Sequence, residues 1–302
     1  MLGNNGYNRK AKNLSCKNVR TFSRTESMEE HMQDTSYEDI IYEERDRVAH
    51  ITFNRPDRMN AFRGHTYGEV ADAVLRAGWN RDVGAIVLSG AGGRAFGVGG
   101  DKDEKKSDRV GRGRGMLGPA VEELQSAIRD VPKPVIAKVR GYAIGSGNVL
   151  VTLCDLCIAA DTARFGQAGP KMGSVDPGWG TALLARTVGE KKAREIWYLC
   201  RQYSAAEALA MGLINCVVPE AELDAEVDRW CAEIIAKSPT ALAIAKRSFN
   251  ADSENIRGIS NLAFQALALY FGTPESIEGG ASLREKRPAD FYGARDHQRK
   301  PT

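Results

Sequence analysis

Ala137 to Leu156 reads AKVRGYAIGSGNVLVTLCDL. An apolar β-like run, Pro134-Val135-Ile136-Ala137, leads into it, the glycine-rich turn Gly145-Ser146-Gly147 follows, and an apolar helical pattern opens at Asn148. That order presents free backbone N–H groups at the start of a helix, where the helix field favours negative charge. A second glycine-rich turn, Ala95 to Asp101 (AFGVGGD), closes the apolar run Ala85 to Leu88. Two such turns can converge on one oxygen. Either turn alone is more simply read as glycine relieving crowding where a strand meets a helix. Neither is a phosphate cradle: GxxxxGK[ST] is absent, and GxGxxG with its following acidic partner is missing.

Outward from this centre, the chain alternates. Asp39 to Glu44 and Val48 to Phe53 read as two strands of a hairpin turning at Arg45-Asp46-Arg47, and Pro56 stops the second. Thr66 to Ala77 has helical spacing, and Ala85 to Leu88 is apolar throughout, as a buried parallel strand is. Val121 to Asp130, Val135 to Val139, Val149 to Leu153 and Cys157 to Ala159 continue the rhythm, which predicts an α/β fold with a parallel sheet. Beyond residue 180 the pattern is helical, with segments over 181–187, 191–200, 205–211, 220–238, 240–249 and 261–271 and breaks at Gly189, Gly212 and Pro239. Between Lys102 and Gly118 it breaks into a charged, glycine-rich stretch beside the first turn, read as solvated surface or as a lid.

Composition narrows the function. With 302 residues and 42% hydrophobic content the chain can bury a sizeable core. A formal charge of +3 argues against a nucleic-acid surface, and no apolar run approaches a membrane span. The six cysteines sit mostly in apolar contexts, which fits reduced thiols and a cytoplasmic setting; Cys154-x-x-Cys157 has no second pair, so zinc is not expected. Residues 1–35 are polar and basic before Glu26 without an amphipathic face; they are expected to be a disordered extension, the alternatives being a transit-like leader or a start at Met28 or Met32. The spiral core is expected over 36–235 and a helical region over 236–302.

The words Asn54-Arg55-Pro56, Asn60-Ala61-Phe62, Ala95-Phe96-x-x-Gly99-Gly100-Asp101, Lys133-Pro134-Val135-Ile136-Ala137, Gly141-Tyr142-Ala143-Ile144-Gly145, Cys154-Asp155-Leu156 and Phe165-Gly166-Gln167 stand in the order and spacing of the crotonase (enoyl-CoA hydratase/isomerase) superfamily, which the chain resembles from about Tyr37 to Phe291. The resemblance implies a right-handed ββα spiral with a C-terminal helical trimerisation region, assembled as a homotrimer or homohexamer. It implies an acyl-CoA substrate whose thioester oxygen is held by the N–H groups of Gly100 and Ser146. Glycine is usual at the second position, so the Ser146 hydroxymethyl narrows the space beside the thioester. Further contacts are implied at Arg58, Ala61, Gly99, Asp101 and Lys102, with Lys286 reaching a CoA phosphate from an adjacent subunit; Lys105 and Arg109 are alternatives to Lys102.

The two glutamates that add water in hydratases fall at Val149 and Gly169, so hydration of an enoyl-CoA is not expected. Instead Gly173-Ser174-Val175-Asp176-Pro177-Gly178, with Ala193 to Arg201, resembles two branches of the superfamily. One opens the ring of 2-ketocyclohexanecarboxyl-CoA with water; the other closes a ring as 1,4-dihydroxy-2-naphthoyl-CoA synthase. The words Asp57 to Gly64, Asp82 to Leu88, Ala127 to Pro134 and Ser238 to Asn250, with Gly111-Arg112-Gly113, favour the ring-opening branch. Asp176 is then the group that activates water and Ser174 the group that orients it, although Asp-Pro alone would be read as a turn. In one class of the synthases the positions of Gln167, Gly169 and Trp197 surround a bicarbonate, and a tyrosine near the C-terminal helix takes part, a role Tyr270 inherits beside Phe271. No tightly bound cofactor is implied otherwise. A Ser/His/Asp hydrolase finds no GxSxG elbow. A non-catalytic scaffold or RNA-binding role lacks a sustained basic patch.

Overall fold

The computed structural model describes residues 36–104 and 120–296. The expected N-terminal extension, Lys105, Arg109 and the Gly111-Arg112-Gly113 word lie outside the described residues.

Among the described residues, ten strands form two sheets. The larger contains β1 (Ile40–Arg45), β2 (Val48–Phe53), β3 (Ala85–Gly90), β5 (Val135–Val139), β7 (Leu156–Ala160) and β10 (Cys216–Val218), side by side in that order. The β1–β2 hairpin is antiparallel and every other pair in this sheet is parallel. Its turn sits at Asp46 and Arg47, both with positive φ, as a tight hairpin requires. The smaller sheet consists of β4 (Ala95–Gly97), β6 (Tyr142–Ile144), β8 (Arg164–Gly166) and β9 (Gln202–Ser204). These four are only three residues each, too short to show a period of their own, and the sequence does not announce them.

Two successive turns of the spiral each give one strand to each sheet and then a helix. β3 and β4 precede α2 (Val121–Asp130), and β5 and β6 precede α3 (Ser146–Leu153). Helix α1 (Gly64–Trp79) precedes them and packs Val70, Ala73, Val74 and Ala77 into the core, where Ile51, Phe53, Ile86 and Leu88 meet them. Since β3 is buried on both faces, its unbroken apolar run follows from its place in the sheet.

The remaining helices are α4 (Leu184–Val188), α5 (Glu190–Leu199), α6 (Ala205–Ala210), α7 (Leu223–Ile235), α8 (Pro239–Asp252), α9 (Asn255–Tyr270), α10 (Pro274–Glu285) and α11 (Phe291–Asp296). The expected break at Pro239 is present, one helix ending at Ile235 and the next opening at Pro239, which occupies the first turn, where no N–H is needed, while Ser238 Oγ accepts from the Ala241 amide. Helices α10 and α11 escape the sequence reading because the charged residues between 275 and 296 leave them little apolar stripe. On α8, α9 and α11 Phe249, Leu262, Leu269 and Tyr292 are each more than two-thirds exposed, so this end of the chain presents several large apolar side chains to solvent.

Candidate active site

The two glycine-rich turns meet. Gly99 and Gly145 both adopt positive φ, +87° and +59°, a conformation glycine takes without strain. Their backbones touch: a β carbon on Gly145 would lie 3.4 Å from the Gly99 α carbon, and one on Gly99 would lie 3.6 Å from the Ser146 nitrogen. A parallel bridge between Phe62 and Gly100 anchors the first turn, with the Phe62 amide donating to Gly99 O at 2.8 Å and the Asp101 amide to Phe62 O at 2.8 Å. The Gly99 carbonyl and the Asp101 N–H, on either side of Gly100, are therefore tied to Phe62, while no hydrogen bond occupies the Gly100 N–H among the described residues. Ser146 opens α3, so its N–H has no carbonyl one turn behind it. The Ser146 hydroxyl accepts from Tyr67 Oη at 2.8 Å, which turns the extra side chain toward α1.

Asp176 follows the turn Gly169 to Gly173, and its carboxyl head lies at the inner end of a half-buried residue. Gln125 Nε2 of α2 donates to Oδ2 at 2.8 Å and the Gly180 amide donates to Oδ1 at 3.1 Å. Burial pushes this carboxyl up to about 7, against the pull of those two hydrogen bonds. A β carbon on Gly180 would meet Asp176 Oδ1 at 2.9 Å and Val149 at 3.0 Å, so the acid and Val149 both border Gly180. Val149 is three residues along α3 from Ser146, a rise of about 4.5 Å.

The positions of the hydratase glutamates carry no acid. Val149 is 1% exposed and apolar; at Gly169 a β carbon would lie 2.7 Å from Ser174 O and 2.8 Å from the Trp197 ring, leaving no room for a longer side chain. The Ser174 amide donates to Gly169 O at 2.9 Å, which ties Ser174 into the same turn.

Gln167 and Trp197 are both buried but differ in what they can offer. Gln167 Nε2 has no acceptor among the described residues, and the side chain borders an open cleft of about 500 Å³ with Lys171, Cys200 and Arg287. The Trp197 indole N–H already donates to Gly180 O. Gln167 fits an anion such as bicarbonate; Trp197 as placed does not add a second donor.

The other expected contacts are scattered. Ala61 is buried and its carbonyl accepts from Arg55; Arg58 and Lys102 are exposed, the former paired with Asp103. Asp101 is a buried carboxylate bonded to Arg55 Nη2 at 2.7 Å. Burial alone would raise it, but the Asp103 amide and Arg55 outweigh that and hold it below the usual carboxylate range. Lys286 is an exposed left-handed cap at the end of α10. Tyr270 is half-buried against the core and its hydroxyl makes no hydrogen bond among the described residues; burial, then Glu275, raises its pKa.

Gln125, Tyr67 and Arg55 carry weight here that the sequence reading did not assign. Glu122, Gln125, Ser126 and Arg129 form a polar stripe on α2 at spacings that ordinarily mark a solvated face, yet all four are buried. Arg55 belongs to a recognised word without an evident partner, since Asp101 is distant in sequence.

The enoyl-CoA hydratase/isomerase family profile matches residues 43–294. An enoyl-CoA hydratase from Mycobacterium avium subsp. paratuberculosis K-10 is 30% identical, with a TM-score of 0.75 over 84% of this chain and 99% of that one. An enoyl-CoA hydratase/isomerase from Pseudoalteromonas atlantica T6c is 25% identical with a TM-score of 0.74, over 84% and 99%. An enoyl-CoA hydratase/carnitine racemase from Magnetospirillum magneticum is 30% identical with a TM-score of 0.67, over 85% and 96%. Fold, converging turns and matched length together make this chain a member of the enoyl-CoA hydratase/isomerase, or crotonase, family, whose enzymes act on acyl-CoA substrates.

Proposed function

We propose that the chain opens the ring of a cyclic β-keto acyl-CoA by hydrolysis, of the kind that converts 2-ketocyclohexanecarboxyl-CoA to a pimeloyl-CoA type product. The observation that carries this reading is the buried carboxyl of Asp176, poised near neutrality beside Val149 where a hydratase would place its own acid.

In the carboxylate form Asp176 takes a proton from water as the water oxygen bonds to the ring ketone carbon. The tetrahedral adduct collapses to a carboxyl group, and the bond to the neighbouring carbon breaks. Its electron pair moves into the thioester as an enolate. The N–H groups of Gly100 and Ser146 stabilise the growing negative charge, each such donor being worth about 3–4 kcal/mol. Asp176, now a carboxylic acid, returns its proton to the enolate carbon. A pKa near 7 suits a group that must be base in one half of the cycle and acid in the other. Ser174 orients the water, and Tyr270 is assigned a supporting part beyond these contacts. The exposed apolar side chains on α8, α9 and α11 support assembly with further copies of the chain, which would bring Lys286 to a neighbour's CoA.

Ring closure, as in 1,4-dihydroxy-2-naphthoyl-CoA synthase, is the second reading, favoured by the partnerless Gln167 amide, which suits the bicarbonate used by one class of those enzymes. Incubation with 2-ketocyclohexanecarboxyl-CoA and with O-succinylbenzoyl-CoA, followed by mass, separates the two. Gain of one water on the first supports hydrolysis; loss of one water on the second supports ring closure, and no change on either removes both.

A further inference from the structure

Asp176 is held by a residue that lies far from it in sequence and on no recognised word. Gln125 is 0% exposed, its Nε2 donates to Asp176 Oδ2 at 2.8 Å, and its Oε1 is buried without a partner among the described residues. A buried amide with one end unbonded is costly unless the site uses it. Half a turn about the last bond of an amide exchanges a donor for an acceptor.

We infer that Gln125 is the positioning residue for Asp176, presenting its N–H to the carboxylate and its oxygen to the carboxylic acid, so that both protonation states are held in one place. The inference rests on Asp176 being the acid–base group proposed above. The Gly180 amide can only donate, to Oδ1, which leaves Gln125 as the bonded partner able to switch with the protonation state. Gln125 is thus the contact that changes character with each proton transfer, while its helix stays where it is.

No charged side chain among the described residues competes for this role. On α2, Arg129 lies over the Trp179 ring at 4.6 Å and donates to Ser253 Oγ at 2.7 Å and to Asn250 O at 3.1 Å; Glu122 faces the Asn261 amide. On α3 the neighbour is the apolar Val149, and on α9 Arg257 is paired with Asp130 and Glu254. Among the described residues, the groups bonded to the Asp176 carboxyl are the Gln125 amide and the Gly180 N–H.

The test is an infrared titration of the ligand-free protein, in which subtraction of the Asp176→Asn spectrum isolates the carboxyl band. The wild-type midpoint is expected near 7. Gln125→Met, close in volume and unable to hydrogen-bond, should move it upward by about one pH unit, a tenfold change in the acid constant. Gln125→Glu places a second carboxyl at the same oxygen, and the pair should then titrate in two steps. A midpoint unmoved in Gln125→Met, or a single unmoved step in Gln125→Glu, overturns the assignment. Because no substrate is present, the titration stands or falls apart from the choice between ring opening and ring closing, which the product assays decide.

Discussion

Gly147 rests on the carbonyl of Gly97 so closely that a β carbon at 147 would stand 2.1 Å from that oxygen. The first turn of α3 and the end of β4 are thereby packed backbone to backbone, and the amides of Gly100 and Ser146 inherit their spacing from this contact.

Gly147→Ala must therefore push the two turns apart. The expected loss is about 1–3 kcal/mol of stability, together with most of the turnover, because the two donors no longer share one oxygen. Denaturant unfolding and kcat measured on the same preparation check it; a stable variant with full turnover would separate the donors from this packing.

Asp176→Asn should cost at least tenfold in kcat with substrate binding nearly unchanged. The same change should stabilise the protein. A carboxyl whose pKa rises from its ordinary value to about 7 on folding makes the folded state bind protons more tightly, so stability falls as pH climbs to 7 and stays low above it. Removing the charge should recover about 2–4 kcal/mol at pH 8 and almost nothing at pH 4. Melting curves of the two proteins should lie several degrees apart at the higher pH and converge at the lower one.

Tyr67→Phe frees the Ser146 hydroxyl from its 2.8 Å partner. A stability change of about 1 kcal/mol is expected, with a larger rise in KM than fall in kcat, since the hydroxymethyl group can then swing toward the thioester. Ser146→Gly keeps the N–H and should retain kcat within about threefold while accepting bulkier acyl groups. Steady-state kinetics over a series of acyl chains distinguishes the two effects.

Arg55→Met leaves the buried Asp101 carboxylate without its guanidinium, at an expected cost of about 3–5 kcal/mol at pH 7. Asp101 titrates below the ordinary carboxylate range in the folded protein, so the stability it contributes is present above that range and is lost as pH falls through its depressed value. The difference between Arg55→Met and wild type should therefore narrow in acid, as a pH series of unfolding curves would show.

The sequence by itself determined the frame. The period of two over 40–53, the unbroken apolar run of β3 and the strand–turn–helix around Gly145 are local patterns, and local patterns specify strands, helices and the turns between them. It also determined that Val149 and Gly169 carry no acid and that Asp176 follows a glycine-rich turn. Only the tertiary structure decided what Asp176 touches and at what pH it ionises. Burial and hydrogen bonding are properties of neighbours brought from elsewhere in the chain, here Gln125 from α2 and Gly180 from the following turn. The polar stripe Glu122, Gln125, Ser126 and Arg129 illustrates the reason: its spacing is that of a solvated helix face, and the packing of α2 against α3, Trp179 and α8 turns that face inward, where Gln125 Oε1 and Arg129 Nε are left without a partner among the described residues.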